Sequence, residues 1–64
     1  MVTTKYYIEN LVDGTALKDD GSWKPFSIEE DHESFLNYDD AIQHIVDVLD
    51  EGVYRIFSRI TKVL

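Results

Sequence analysis

Asn37-Tyr38-Asp39-Asp40-Ala41-Ile42-Gln43-His44-Ile45-Val46-Asp47-Val48-Leu49-Asp50-Glu51-Gly52 decides the architecture of this chain. Apolar residues recur at Tyr38, Ala41, Ile42, Ile45, Val46 and Leu49, one stripe at the helical period. Asn37 is placed to cap the first turn, where the Asp40 carboxylate also favours a helix N-terminus. Leu36 and Ala41 flank that cap as a small hydrophobic staple. Gly52 suits the left-handed backbone that ends a helix. The spacing predicts a helix over 38–51 with two faces. One is apolar and belongs to a core; the other carries Asp39, Asp40, Gln43, Asp47, Asp50 and Glu51 and faces water or a partner.

On the N-terminal side, Lys5-Tyr6-Tyr7-Ile8-Glu9-Asn10-Leu11-Val12 is aromatic and β-branched and reads as a strand over 5–12. Its alternation puts Tyr6, Ile8, Asn10 and Val12 on one face, with Tyr6 and Ile8 aimed at the helix. Asp13-Gly14 predicts a two-residue hairpin turn into a strand at 15–18. Asp19-Asp20-Gly21-Ser22 is a second turn with Gly21 in a left-handed position. A short run at 23–26 follows, which Pro25 confines to an edge or ends. Ser27-Ile28-Glu29-Glu30 has capping-box spacing for one short turn, and Glu33-Ser34-Phe35 reads as a brief strand or an extended lead-in.

After the helix, 53–63 is the strongest strand. Tyr54, Ile56, Ser58, Ile60, Lys62 and Leu64 share one face and carry the aliphatic weight, which assigns them to the core. Arg55 and Arg59 then point outward with Phe57 between them. The expected fold is α+β: a small antiparallel sheet of three to four strands, about 5–12, 15–18, 23–26 and 53–63, with the helix on one face.

At 64 residues this is one domain over 1–64. A domain of that size buries only roughly 60% of the surface its unfolded chain exposes. With no cysteine it has neither disulfides nor thiolate metal sites. A 44% hydrophobic content supports a real core. No apolar run is long enough for a membrane span, and Met1-Val2-Thr3-Thr4-Lys5 lacks the apolar segment of a signal peptide. A cytoplasmic chain is therefore expected.

Net charge is −7, which disfavours nucleic acid and anionic membranes as direct ligands. The distribution is more informative. From Phe26 to Val53 there is no Lys or Arg across 28 positions, while nine acids occur: Glu29, Glu30, Asp31, Glu33, Asp39, Asp40, Asp47, Asp50 and Glu51. These nine are the candidate partner-binding residues, with a protein bearing a basic surface as the expected partner. A solvated face that keeps a small protein soluble is the plainer explanation of the same residues.

Catalytic and cofactor chemistry find little footing. His32 and His44 lack the convergent ligands a transition metal needs, and His44 reads instead as an exposed imidazole among Asp40 and Asp47. The Asp13-Gly14 and Asp19-Asp20-Gly21 clusters miss calcium-loop spacing and are complete as turns. No nucleophile-base-acid set or glycine-rich phosphate loop is present, so a non-enzymatic chain without cofactor or metal is expected. The aromatics exceed what one small core requires. Tyr7, Leu11, Phe57 and Val63, on the face away from the helix, are candidates for an interface between two copies.

The run Thr15-Ala16-Leu17-Lys18-Asp19-Asp20-Gly21-Ser22-Trp23, followed by Phe35-Leu36-Asn37-Tyr38-Asp39-Asp40-Ala41, resembles small bacteriophage and prophage accessory proteins. They share a Leu-Lys-x-x-Gly-Ser-Trp hairpin and a Tyr-x-x-Ala helix. The resemblance covers most of the chain but is carried by turn and cap residues, so it speaks to layout and defines no site. It implies an accessory product acting in host cytoplasm, a class that includes inhibitors of host systems. Two functions follow as expectations. One is an acidic inhibitor that docks its helix and loop on a nucleic-acid-binding surface of a host protein. The other is a phage structural or assembly protein that self-associates through its sheet face.

Overall fold

The computed structural model describes residues 2–49 and 52–62. Four strands, β1 (Val2–Asn10), β2 (Thr15–Leu17), β3 (Trp23–Lys24) and β4 (Tyr54–Lys62), form one antiparallel sheet in the order β3-β2-β1-β4. Helix α1 (Tyr38–His44) packs on one face of it, giving the α+β, helix-on-sheet layout. β1 and β4 pair along their full nine residues, from Val2 opposite Lys62 to Asn10 opposite Tyr54.

The core lies between sheet and helix. Ile8, Leu17 and Ala41 are buried there, with Tyr6, Trp23, Phe35, Ile45, Leu49, Tyr54 and Ile56 packed around them. Ile8 is fully buried, worth about 1.5–3 kcal/mol for a side chain of this kind. Trp23 stacks on Tyr54 with centroids 5.8 Å apart, and Tyr6 meets the edge of Tyr38 at 6.2 Å.

Several expected boundaries move. β1 ends at Asn10, not 12, because the hairpin loop is four residues, Leu11 to Gly14, and not the two of Asp13-Gly14. Asn10 Oδ1 accepts from the Val12 N–H at 2.9 Å, and Asp13 Oδ1 accepts from the Thr15 N–H and hydroxyl. These side-chain bonds offer the backbone an alternative to the ladder. Val12, expected on the core face, is consequently exposed. β1 gains residues at its start because β4 reaches Lys62 and supplies partners for Val2 to Thr4. β3 stops before Pro25, which has no N–H to donate.

The expected helix over 38–51 is also altered. Seven residues of α1 give way to a π-helical turn over Ile45–Leu49. Gly52 has φ +142°, but the room it leaves is filled by Tyr54: a Cβ there would stand 2.5 Å from Tyr54 Cζ. The expected brief strand near Phe35 consists of bridge pairs, Tyr6 with Phe35 and Lys18 with His32.

Candidate functional site

The helix is built as its caps dictate. Asn37 Oδ1 accepts from the Asp40 N–H at 3.0 Å, satisfying a first-turn donor. Ala41 is buried, and Ile45 and Leu49 turn toward the same core. The remaining half of the apolar stripe is not covered. Tyr38 is 52% exposed, Ile42 40% and Val46 60%, so their expected place in the core is corrected. The stripe spans too wide an arc for one narrow sheet to cover. Spaced four apart, these three side chains are neighbours along the helix surface.

On the helix, Asp39 borders this flank and Asp40 and Asp47 lie further round; all three are exposed. Asp47 Oδ1 accepts from Gln43 Nε2 at 2.9 Å. Among the described residues the ion pairs are Lys18–Glu30 and Arg55–Glu9, so none reaches these three aspartates. Asp50 and Glu51 lie outside the described residues.

The rest of the acidic block is elsewhere. Because Ile8 faces the helix, Tyr7 faces away, and the loop after β3 crosses that far side by laying Phe26 on Tyr7. Glu29, Glu30 and Asp31 are exposed on this loop. Glu30 Oε2 accepts from Lys18 Nζ at 3.0 Å. That bond holds the Glu30 carboxyl below its ordinary value and the Lys18 ammonium above its own. Glu33 is half-buried. Burial, then a hydrogen bond with the Asp19 side chain, pushes its carboxyl above the ordinary value, while His44 pulls the other way. The acidic block is continuous along the chain but not across the surface.

Neither histidine is placed as an open ligand. His32 is only 8% exposed and stacks on Phe26 at 4.9 Å. The Ser27 N–H donates to its Nε2 at 3.2 Å, which puts the ring proton on Nδ1, 3.3 Å from the Leu17 carbonyl oxygen. His44, expected to be exposed, is half-buried against Phe35 at 5.2 Å. No group of three or more potential ligands gathers for a metal among the described residues.

On the far face Tyr7 and Phe57 are brought together, stacked at 5.4 Å. Phe26 closes over both, edge-on at 4.9 Å and 5.2 Å, and Arg59 stands 5.2 Å above the Phe26 ring. A second copy approaching this face would therefore meet the Phe26 loop before Tyr7 or Phe57. Leu11 is exposed at the start of the hairpin loop, just past the end of β1, and Val63 lies outside the described residues. A cleft of about 60 Å³ remains, lined by Tyr7, Phe26, Ser27, Ile28, Glu30, His32 and Arg59. Small-molecule pockets are roughly 300–1,000 Å³, so this cleft is too small to enclose a substrate.

Sequence reasoning missed two things. The exposure of Tyr38, Ile42 and Val46 has no signal in periodicity. The role of Phe26 had one: Pro25 ends β3, and an aromatic immediately after it is free to fold back over the sheet.

No family model, curated protein or solved structure matches the chain. No described helix is long and apolar enough to cross a membrane.

Proposed function

We propose that this chain is a small acidic protein-binding module without catalytic activity, an accessory product of phage or prophage type. It docks its helix on a basic, nucleic-acid-binding surface of a host protein. One observation carries the reading: the exposed flank of Tyr38, Ile42 and Val46 lies beside Asp39, with Asp40 and Asp47 also free of cationic partners among the described residues.

This arrangement suits a partner groove that is apolar at its centre and basic at its rim. Apolar and aromatic side chains supply affinity when desolvated, and the surrounding carboxylates steer the encounter. The loop acids take a smaller part than their number suggests, since Glu30 is already paired with Lys18 and Glu33 is half-buried. The helix residues are the binding surface in this reading.

The test compares capture of a host protein by the wild-type chain and by a triple variant, Asp39→Asn, Asp40→Asn and Asp47→Asn, at two ionic strengths. Capture that weakens in salt and in the variant supports the reading. Equal capture by both removes the acidic face from the account.

A further inference from the structure

β4 is one of the two edge strands of the sheet, nine residues long, with no proline, glycine or bulge to blunt it. The hydrogen bonds of β1 fix which of its groups are free. Tyr6 exchanges both backbone bonds with Phe35, at 2.9 Å each, so its N–H and C=O point away from β4. Leu11, of the opposite parity, donates its N–H toward β4 at Val53 O, 2.9 Å. In an antiparallel ladder opposed residues both point toward the partner or both away. Ser58, opposite Tyr6, therefore presents its N–H and C=O to the open edge, as do Ile56 and Ile60.

We infer that a second copy of this chain pairs on that edge, β4 against β4, antiparallel about a two-fold axis at Ser58. The register is specified by the charges. Centred on Ser58, the pairing engages the whole strand and sets Ile56 against Ile60 of the other copy on the helix side. On the far side it sets Phe57 against Arg59, so that neither arginine opposes the other. Moved one step to centre on Phe57, it would oppose Arg55 to Arg59. Moved the other way, it would oppose Arg59 to itself. Like charges directly opposed destabilise a sheet, so both neighbouring registers are disfavoured, the first less strongly because Glu9 already pairs with Arg55. The pairing also accounts for Ile60, which is 71% exposed on the face that the sequence assigns to the core. Its cover comes from the second copy, and the helices of both copies lie on the same side of one eight-stranded sheet.

The experiment is sedimentation equilibrium of the full chain from low to high micromolar concentration, beside Ser58→Pro and Ile60→Lys. Ser58→Pro removes an N–H that the monomer does not use, and Ile60→Lys changes an exposed side chain, so far-ultraviolet circular dichroism should show both folded. If Ser58→Pro does not fold, Ile60→Lys alone decides. The expected result is a species of twice the 7.5 kDa chain mass in wild type, lost in the folded variants. Because the chain has no cysteine, Ser58→Cys also reports the register, as a disulfide forms only between copies. It should cross-link on mild oxidation more readily than Arg59→Cys. A monomer throughout, a dimer that survives both variants, or Arg59→Cys cross-linking faster each overturns the inference; in the last two cases the copies meet elsewhere or in another register.

Discussion

His32 is tied to the backbone of Leu17: its Nδ1 lies 3.3 Å from the Leu17 carbonyl oxygen, which also accepts the Glu33 N–H at 3.0 Å. Through this contact the loop that covers the far face is joined to the strand that lines the core. The ring is nearly buried and carries Phe26 with it, so one side chain serves both faces of the sheet.

His32→Leu should therefore loosen the loop and the Phe26 cluster together. It leaves the half-buried Ser27 N–H without its acceptor, a loss of about 0.5–1.5 kcal/mol for a typical hydrogen bond. Urea unfolding followed by the fluorescence of Trp23, the single tryptophan, measures it. An unchanged midpoint would show that the loop does not depend on the imidazole.

Gly52→Ala should destabilise the chain by about 1–3 kcal/mol, since φ +142° is strained for any side chain and the new Cβ meets the Tyr54 ring. Tyr54 stacks on Trp23, so the native fluorescence should change as well as the thermal midpoint.

Core and flank should separate cleanly in an alanine series. Ile8→Ala, at a fully buried site, should cost roughly 2–5 kcal/mol, and Leu49→Ala, at a half-buried one, less. Val46→Ala should change stability by less than about 0.5 kcal/mol, as for surface positions generally. Chemical denaturation of the three variants reads the order directly.

The part of the fold carried by alternation was legible. Tyr6, Ile8, Tyr54 and Ile56 fall in the core as period two requires, whereas Ser58 and Ile60, assigned to it by the same period, are exposed; Asn37 caps the helix where the sequence places it. What periodicity does not contain is the width of the contact. Tyr38, Ile42 and Val46 satisfy the helical repeat as well as Ile45 does, yet the sheet leaves them exposed. Loop length was hidden for a different reason. Asn10 and Asp13 bond their own backbone, and those local bonds outweigh the two-residue turn that Asp13-Gly14 suggests. For the candidate site, charge was legible along the chain, but the loop carries Glu29 to Asp31 to the far side, a tertiary fact.

Acid should act on stability in two opposed ways. The Glu33 carboxyl titrates above its ordinary 4.5 in the folded chain, so its protonated form favours folding; that contribution is present below 4.5 and lost as pH rises through the folded value. Asp13, Asp20 and Glu30 titrate below their ordinary values through bonds to Thr15, Ser22 and Lys18; their contribution is present at neutral pH and lost as pH falls through the folded values. Glu33→Gln, which keeps the shape without the charge, should therefore raise the urea midpoint at pH 7, with the gain shrinking toward pH 4. A lower midpoint at pH 7 would contradict this.

The exposed flank of the helix is proposed to bind a basic host protein. The most direct measurement is the affinity of the captured partner for the wild-type chain and for the double variant Ile42→Lys with Val46→Lys, each at low and at high salt. The changed side chains are exposed, so the fold should persist in circular dichroism. Wild-type binding should weaken with salt, and the variant should stay folded but bind at least about tenfold more weakly, a loss of about 1.4 kcal/mol. A folded variant that binds as tightly as wild type would contradict the proposal.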